Sequence, residues 1–383
     1  MMKFLFASDS FKGTLSSADT GRLLTEAAKK VFPDCSCACV EVADGGEGTT
    51  DAVLAAVSGE RIFLQVQGPL GEAVQVSYGK LDEKRAVMEM AAASGLPLLS
   101  EAQRDPRKTS TYGTGEMIRD ALERGFRDIS IAIGGSATND GGMGAMRALG
   151  VRFLDQEGTE LSGCGADLIR VAEIDVSGLN PRVKETQFTV MCDVSNPLCG
   201  KDGATYTFGK QKGGTPEMLD ELEAGMRHYR DLLRAQFCVD PDRIAGAGAA
   251  GGLGAALLVF LNGQMKSGIE TVLDLIEFDR RLDGVSLVVT GEGRTDWQSA
   301  FGKVMQGVGE RCRKHGIPAV AVVGSLGEGA EKIFDCGIRS MITTVDAPMR
   351  LEEALSDAEE LYARAAERLF RMLRAGQEMK CCG

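Results

Sequence analysis

Acidic residues recur in polar loops at five places in this sequence, four of them among glycines, and each loop follows a short apolar run. The run at 3–7 leads into Asp9-Ser10-Phe11-Lys12-Gly13-Thr14. The run at 38–43 leads into Asp44-Gly45-Gly46-Glu47-Gly48-Thr49. The run at 129–133 leads into Gly134-Gly135-Ser136-Ala137-Thr138-Asn139-Asp140-Gly141-Gly142. The runs at 187–192 and 286–290 lead into Asp193-Val194-Ser195-Asn196 and Gly291-Glu292-Gly293-Arg294-Thr295-Asp296. Glycine lets backbone N–H groups approach anionic oxygens, and a helix starting just beyond adds a favourable dipole. Carboxylates in the same loops would repel a phosphate unless a cation intervenes. The pattern therefore implies Mg²⁺ or substrate hydroxyls as partners. Any one of these loops could be a plain turn, because Asp, Asn and Gly favour turns. Five in the same position relative to apolar runs argue for one or two ligand sites.

The elements that must hold these loops are legible as an alternation of apolar runs and amphipathic stretches, which predicts an α/β protein with mainly parallel strands. In such sheets ligands bind outside the carboxyl ends of the strands, where all five loops fall. Ser16 with Asp19 reads as a capping box, followed by Leu24, Ala27, Ala28 and Val31 at helical spacing. A helix is expected at 49–57 and a turn at Gly68-Pro69-Leu70-Gly71. An antiparallel strand pair is expected at 73–81 and 85–90. Further helices are expected at 115–124 and 216–237, and a strand at 319–323. One C-terminal helix is expected over 351–373, with Leu351, Ala354, Leu355, Ala358, Leu361, Ala365 and Leu369 on its core face.

The 383 residues are 44% hydrophobic and 26% charged, ordinary for a globular chain of about two domains. The net charge of -12 and the lack of a basic run exclude nucleic acid as a partner. No apolar stretch is long enough for a signal peptide or a bilayer span, so a cytoplasmic protein with no membrane partner is expected. Eleven scattered cysteines fit reduced thiols. Cys35-Ser36-Cys37-Ala38-Cys39 has the wrong spacing for a zinc site and reads as the approach to a strand. Cys381-Cys382 does not match a prenylation box. No Walker loop or protein-kinase motif occurs. Gly246-Ala247-Gly248-Ala249-Ala250-Gly251 matches a dinucleotide fingerprint, but Pro241-Asp242-Arg243-Ile244-Ala245 before it is a poor strand. Lys12 is placed to neutralise a transferred phosphoryl group. Gln211-Lys212-Gly213-Gly214 offers a phosphate contact but reads better as a plain loop before a helix, and residues 108–115 read as a cap or an anion site.

Asp9-Ser10-Phe11-Lys12-Gly13, Ala43-Asp44-Gly45-Gly46-Glu47-Gly48-Thr49 and the loop from Gly134 to Gly142 carry a family resemblance. With Gly291-Glu292-Gly293-Arg294-Thr295-Asp296-Trp297-Gln298-Ser299 and Gly302-Lys303, in this order and spacing, they resemble the type I glycerate kinase family. The resemblance covers essentially the whole chain. Trp297 and Met305 depart from the family's smaller residue and proline, without bearing on the chemistry. The resemblance implies ATP- and Mg²⁺-dependent phosphorylation of D-glycerate, with 2-phosphoglycerate the usual product. It implies two three-layer α/β domains with mainly parallel sheets, one domain inserted in the other and the site in the cleft. The expected boundaries are 1–80 with 285–383, and 81–284.

Within that frame Lys12 and Arg294 are the expected cations. Asp44, Asp193 and Asp296 are expected as general base or metal ligands, Asp44 and Asp193 being the metal candidates. Ser10, Glu47, Asn196, Glu292 and Gln298 are expected on the substrate. Gly134, Gly135, Ser136, Thr138, Asn139 and Asp140 are expected on the nucleotide. The residues 292, 294, 296 and 298 alternate, which would turn all four to one side of an extended loop. The rival readings are a nucleotide-dependent oxidoreductase and a non-enzymatic small-hydroxy-acid binding protein. D-glycerate and ATP are the expected partners, and a homodimer is compatible with the kinase reading.

Overall fold

The computed structural model describes residues 2–379, so Cys381 and Cys382 lie outside the described residues. The chain forms two compact units. An outer unit combines the residues up to Asp44 with those from Gly268 onward, and an inserted unit spans Gly45–Ser267. Both are α/β, as expected.

The outer unit holds a five-stranded parallel sheet in the order Ile338–Thr343, Ala319–Val323, Leu287–Thr290, Lys3–Phe6, Ser36–Cys39. The strand Ala319–Val323 is buried at every residue, which is what a parallel strand covered on both faces requires. Phe4 and Phe6 join Phe32 and Phe370 in an aromatic cluster on one face, under helices Ser17–Val31 and Ala358–Glu378. Helix Val304–Lys314 packs on the sheet from Leu287–Thr290 to Ala319–Val323. The Ser16–Asp19 capping box is present, with Asp19 N donating to Ser16 Oγ at 3.1 Å.

The inserted unit holds a six-stranded sheet in the order Gln264–Lys266, Gln187–Met191, Asp128–Ala132, Arg85–Glu89, Ala73–Lys80, Glu60–Gln67. Its first four strands run parallel and the last two pair antiparallel. Helix Pro216–Phe237 starts on Thr215, whose hydroxyl accepts from Met218 N, with Pro216 in the first turn. Among the described residues no helix is long and apolar enough to cross a membrane.

Three expectations are corrected and one strand is added. The second strand is Ser36–Cys39 rather than 38–43, because its partner ends at Phe6, to whose carbonyl Val40 N makes the last bond at 2.9 Å. The strand Glu60–Gln67 was not foreseen. The C-terminal helix is two helices, Leu351–Ser356 and Ala358–Glu378, divided at Asp357. The divisions between units fall after Asp44 and Ser267, not after 80 and 284. The first moves because Ala73–Lys80 pairs with both Glu60–Gln67 and Arg85–Glu89, which ties the whole hairpin into the second sheet.

Candidate active site

In the outer unit, loops from the carboxyl ends of adjacent parallel strands meet around a cavity of about 360 Å³. The strand Lys3–Phe6 leads to Asp9, Ser10 and Lys12, and the strand Leu287–Thr290 to Glu292 and Arg294. Asp44 follows the second strand, and Lys303 stands just before helix Val304–Lys314. Asp9 N donates to Gly291 O at 2.9 Å, which binds the two central loops together. Ser10 N donates to Asp9 Oδ1 at 2.7 Å.

Burial first, and then the neighbouring Asp44 charge, push the Asp9 carboxyl up to about 6. A carboxylate near neutrality suits proton transfer. Burial also raises Glu292, which is 7% exposed and accepts from Thr295 Oγ1 at 3.0 Å. Arg294 is mostly exposed and reaches over the cavity.

The alternation from Glu292 to Gln298 does not survive as a common face. Residues Arg294–Thr295 form a short strand with Ser325–Leu326, and the chain then turns into the 3-10 helix Trp297–Ala300. Asp296 caps that helix, accepting from Gln298 N at 2.9 Å, and pairs with Arg294 at 3.8 Å. Glu292 and Arg294 line the cavity, whereas Asp296 and Gln298 do not.

The inserted unit has its own cavity of about 400 Å³, edged by Gly45, Gly46, Glu47 and Gly48 and by Gly134 and Gly135. Gly48 caps helix Thr49–Val57 at φ 83°, a left-handed conformation that favours glycine. The Glu89 carboxylate accepts from Gly48 N at 3.2 Å and Thr50 N at 2.7 Å. It therefore fills the helix start where an external anion would otherwise bind. Arg61, also on this cavity, is engaged by Asp51 and by Ser77 Oγ at 3.1 Å.

The side chains of Ser136, Thr138, Asn139 and Asp140, four of the residues expected on the nucleotide, are buried. Asp140 is fully buried and takes four bonds, from Thr111 N and Oγ1 at 2.7 and 2.8 Å and from Gly142 N and Gly144 N at 3.1 and 3.2 Å. Asn139 Nδ2 donates to Thr205 Oγ1 at 3.1 Å. Ser136 is buried and its backbone bridges Gly95. The Thr138 carbonyl accepts from Lys212 Nζ at 2.6 Å, and Lys212 is 1% exposed, so it is neither a solvated loop lysine nor a phosphate ligand. Thr109 and Thr111 in the 108–115 stretch likewise brace this loop, Thr109 Oγ1 donating to Ala137 O at 3.0 Å.

Asp193 is exposed on the loop after Gln187–Met191, outside the inserted unit's cavity. Asn196 Nδ2 donates to Asp202 O at 2.7 Å, a brace within its own loop. The dinucleotide fingerprint is not preceded by a strand. Gly248 and Gly251 are needed for packing, since a Cβ there would lie 2.1 Å from Pro197 O and 2.0 Å from Thr138 O.

Sequence reasoning passed over Asp9, Lys303 and Thr14 as cavity residues. Asp9 and Lys303 stood inside the quoted motifs, and only the fold turns them to one side. Of the two metal candidates, Asp44 lines the outer-unit cavity and Asp193 does not. Among the described residues no group of three or more His, Cys, Asp or Glu is arranged to hold an ion alone. Asp44, near enough to Asp9 for their charges to repel, is a hard oxygen donor of the kind Mg²⁺ takes alongside phosphates and water.

Carboxylates beside lysines and an arginine at the carboxyl ends of parallel strands fit an α/β enzyme that handles an anionic substrate. A sequence model described as the glycerate kinase family matches residues 4–374. The glycerate 2-kinase of Escherichia coli (strain K12) is 42% identical, over 98% of this chain and 99% of its own length. The glycerate kinase of Halalkalibacterium halodurans is 40% identical, over 96% of this chain and 97% of its own. A crystal structure of a proposed glycerate kinase 2 from Salmonella typhimurium LT2 superposes with a TM-score of 0.89 at 41% identity, over 99% of this chain and 100% of that one. The protein is a phosphotransferase. The chain belongs to the glycerate kinase family.

Proposed function

We propose that this chain transfers the γ-phosphoryl group of ATP to D-glycerate, giving 2-phosphoglycerate. The observation that carries the proposal is the outer-unit cavity, where Lys12, Arg294 and Lys303 stand among Asp9, Asp44 and Glu292. Phosphoryl transfer asks the protein for positioning and charge rather than covalent chemistry. Lys12, Arg294 and Lys303 would draw charge from the phosphates. Asp44 would hold a divalent cation, which when bound neutralises phosphate oxygens. Asp9, raised toward neutrality, is the candidate to take the substrate hydroxyl's proton. Ser10, which lines the same cavity, is the candidate for contact with the glycerate hydroxyls. Nine cysteines are unpaired among the described residues, which supports work in a reducing cytoplasm.

The test is ADP release by the purified protein on a panel of small hydroxy acids, with Mg²⁺ and with excess chelator. D-glycerate should head the panel and chelation should stop turnover. Turnover at full rate in chelator, or preference for another acid, would reject the assignment.

A further inference from the structure

The outer-unit cavity has a second character that the catalytic reading leaves unused. One wall is aliphatic. Leu351, Ala354 and Leu355 line it, with Val345 beside them. They occupy positions i, i+3 and i+4 of the short helix Leu351–Ser356, the spacing of one helical face. Such a stripe ordinarily faces a core. Here no residue of the helix is buried, and Leu351 and Leu355 are 70% and 49% exposed. The sequence placed these residues in the core stripe of one long helix. The break at Asp357 instead turns them to the cavity.

We propose that this cavity holds the nucleotide, with its nucleoside against Leu351, Leu355 and Val345 and its phosphates toward Lys12, Arg294 and Lys303. This rests on the kinase reading. A three-carbon acid has no apolar surface to cover such a wall, and about 360 Å³ lies in the range that drug-sized ligands fill. A nucleoside triphosphate brings a flat, weakly polar end and a polyanionic end in one molecule. The cavity offers complements to both. The wall presents aliphatic carbon rather than hydrogen-bonding edges, so it recognises the base by contact.

The experiment is calorimetric titration of the full-length protein and of a Leu351→Ser, Leu355→Ser double variant. The probes are Mg-ADP and inorganic tripolyphosphate, accompanied by KM for ATP and for D-glycerate. Both leucines are exposed, and an unchanged melting temperature will confirm that the fold holds. ADP affinity should fall about tenfold or more, with KM for ATP rising in parallel. Tripolyphosphate affinity and KM for D-glycerate should stay within about twofold, since neither depends on the aliphatic wall. Unchanged ADP affinity, or a rise confined to KM for D-glycerate, overturns the assignment. If wild-type protein binds ADP through this wall but releases none with glycerate, the catalytic reading fails while the cavity assignment stands.

Discussion

Lys212 offers a quantitative test of how the 134–142 loop is held. Its ammonium is fully enclosed and donates to the Thr138 carbonyl. Burial lowers its pKa to about 7, against a smaller opposing pull from Asp140. In the unfolded chain the same amine titrates near 10.5. Between those values the unfolded state binds a proton that the native state lacks, so native stability rises with pH from about 7 toward about 10. For one group with these two pKa values the gain between pH 7 and pH 9 is about 2 kcal/mol. Lys212→Met keeps the length and removes the titration. It also loses the bond to Thr138 O, a cost of about 1–3 kcal/mol that does not depend on pH. The stability of the variant relative to wild type should therefore drop by about 2 kcal/mol from pH 7 to pH 9, which corresponds to roughly 4–8 °C in Tm for a unit of this size. Calorimetry of both proteins at the two pH values isolates the effect, because every other group titrates in both. A difference independent of pH would show that Asp140 keeps the lysine charged, and the argument from burial would fall.

Other outcomes follow from the same geometry. Glu89→Ala should lower stability by about 1–3 kcal/mol by stripping the bonds from Gly48 N and Thr50 N, with Glu89→Gln losing less; equal melting temperatures for both would refute the capping role. Asp296→Asn should keep kcat within about threefold because asparagine caps nearly as well, while Asp296→Ala should cost about 1 kcal/mol of stability; a hundredfold loss of kcat in the asparagine variant would return Asp296 to the chemistry. Asp44→Asn should lower kcat about 10²-fold or more without lowering Tm, since it also removes repulsion with Asp9; normal turnover would exclude Asp44 from the site.

Local chemistry made part of this structure readable in advance. Ser16 with Asp19, and Thr215 with Pro216, announce helix starts through groups adjacent in sequence. The acidic loops were legible because a parallel sheet delivers every strand to the same edge. What escaped depends on distant partners. The strand Glu60–Gln67 alternates as an edge strand should, with Ile62, Leu64 and Val66 between polar residues, yet Phe63 is 61% exposed and breaks the clean pattern. Nothing near Lys212 in sequence tells that Thr138 and Asp140 enclose it. Leu351 and Leu355 have the spacing of core residues, and only the break at Asp357 turns them to the outer-unit cavity. Asp140 illustrates the opposite case: a carboxylate in a glycine loop reads as part of a nucleotide site, but four internal donors consume its acceptor capacity.

The central claim is tested most directly by proton-coupled ³¹P NMR of the product formed from ATP and D-glycerate. Phosphate on the secondary carbon couples to a single carbinol proton and gives a doublet, whereas phosphate on the terminal carbon couples to a methylene and gives a triplet. A new phosphomonoester doublet appearing in step with ADP is the predicted result. A triplet would contradict the assigned hydroxyl, and ADP with no new phosphomonoester would contradict the transfer itself.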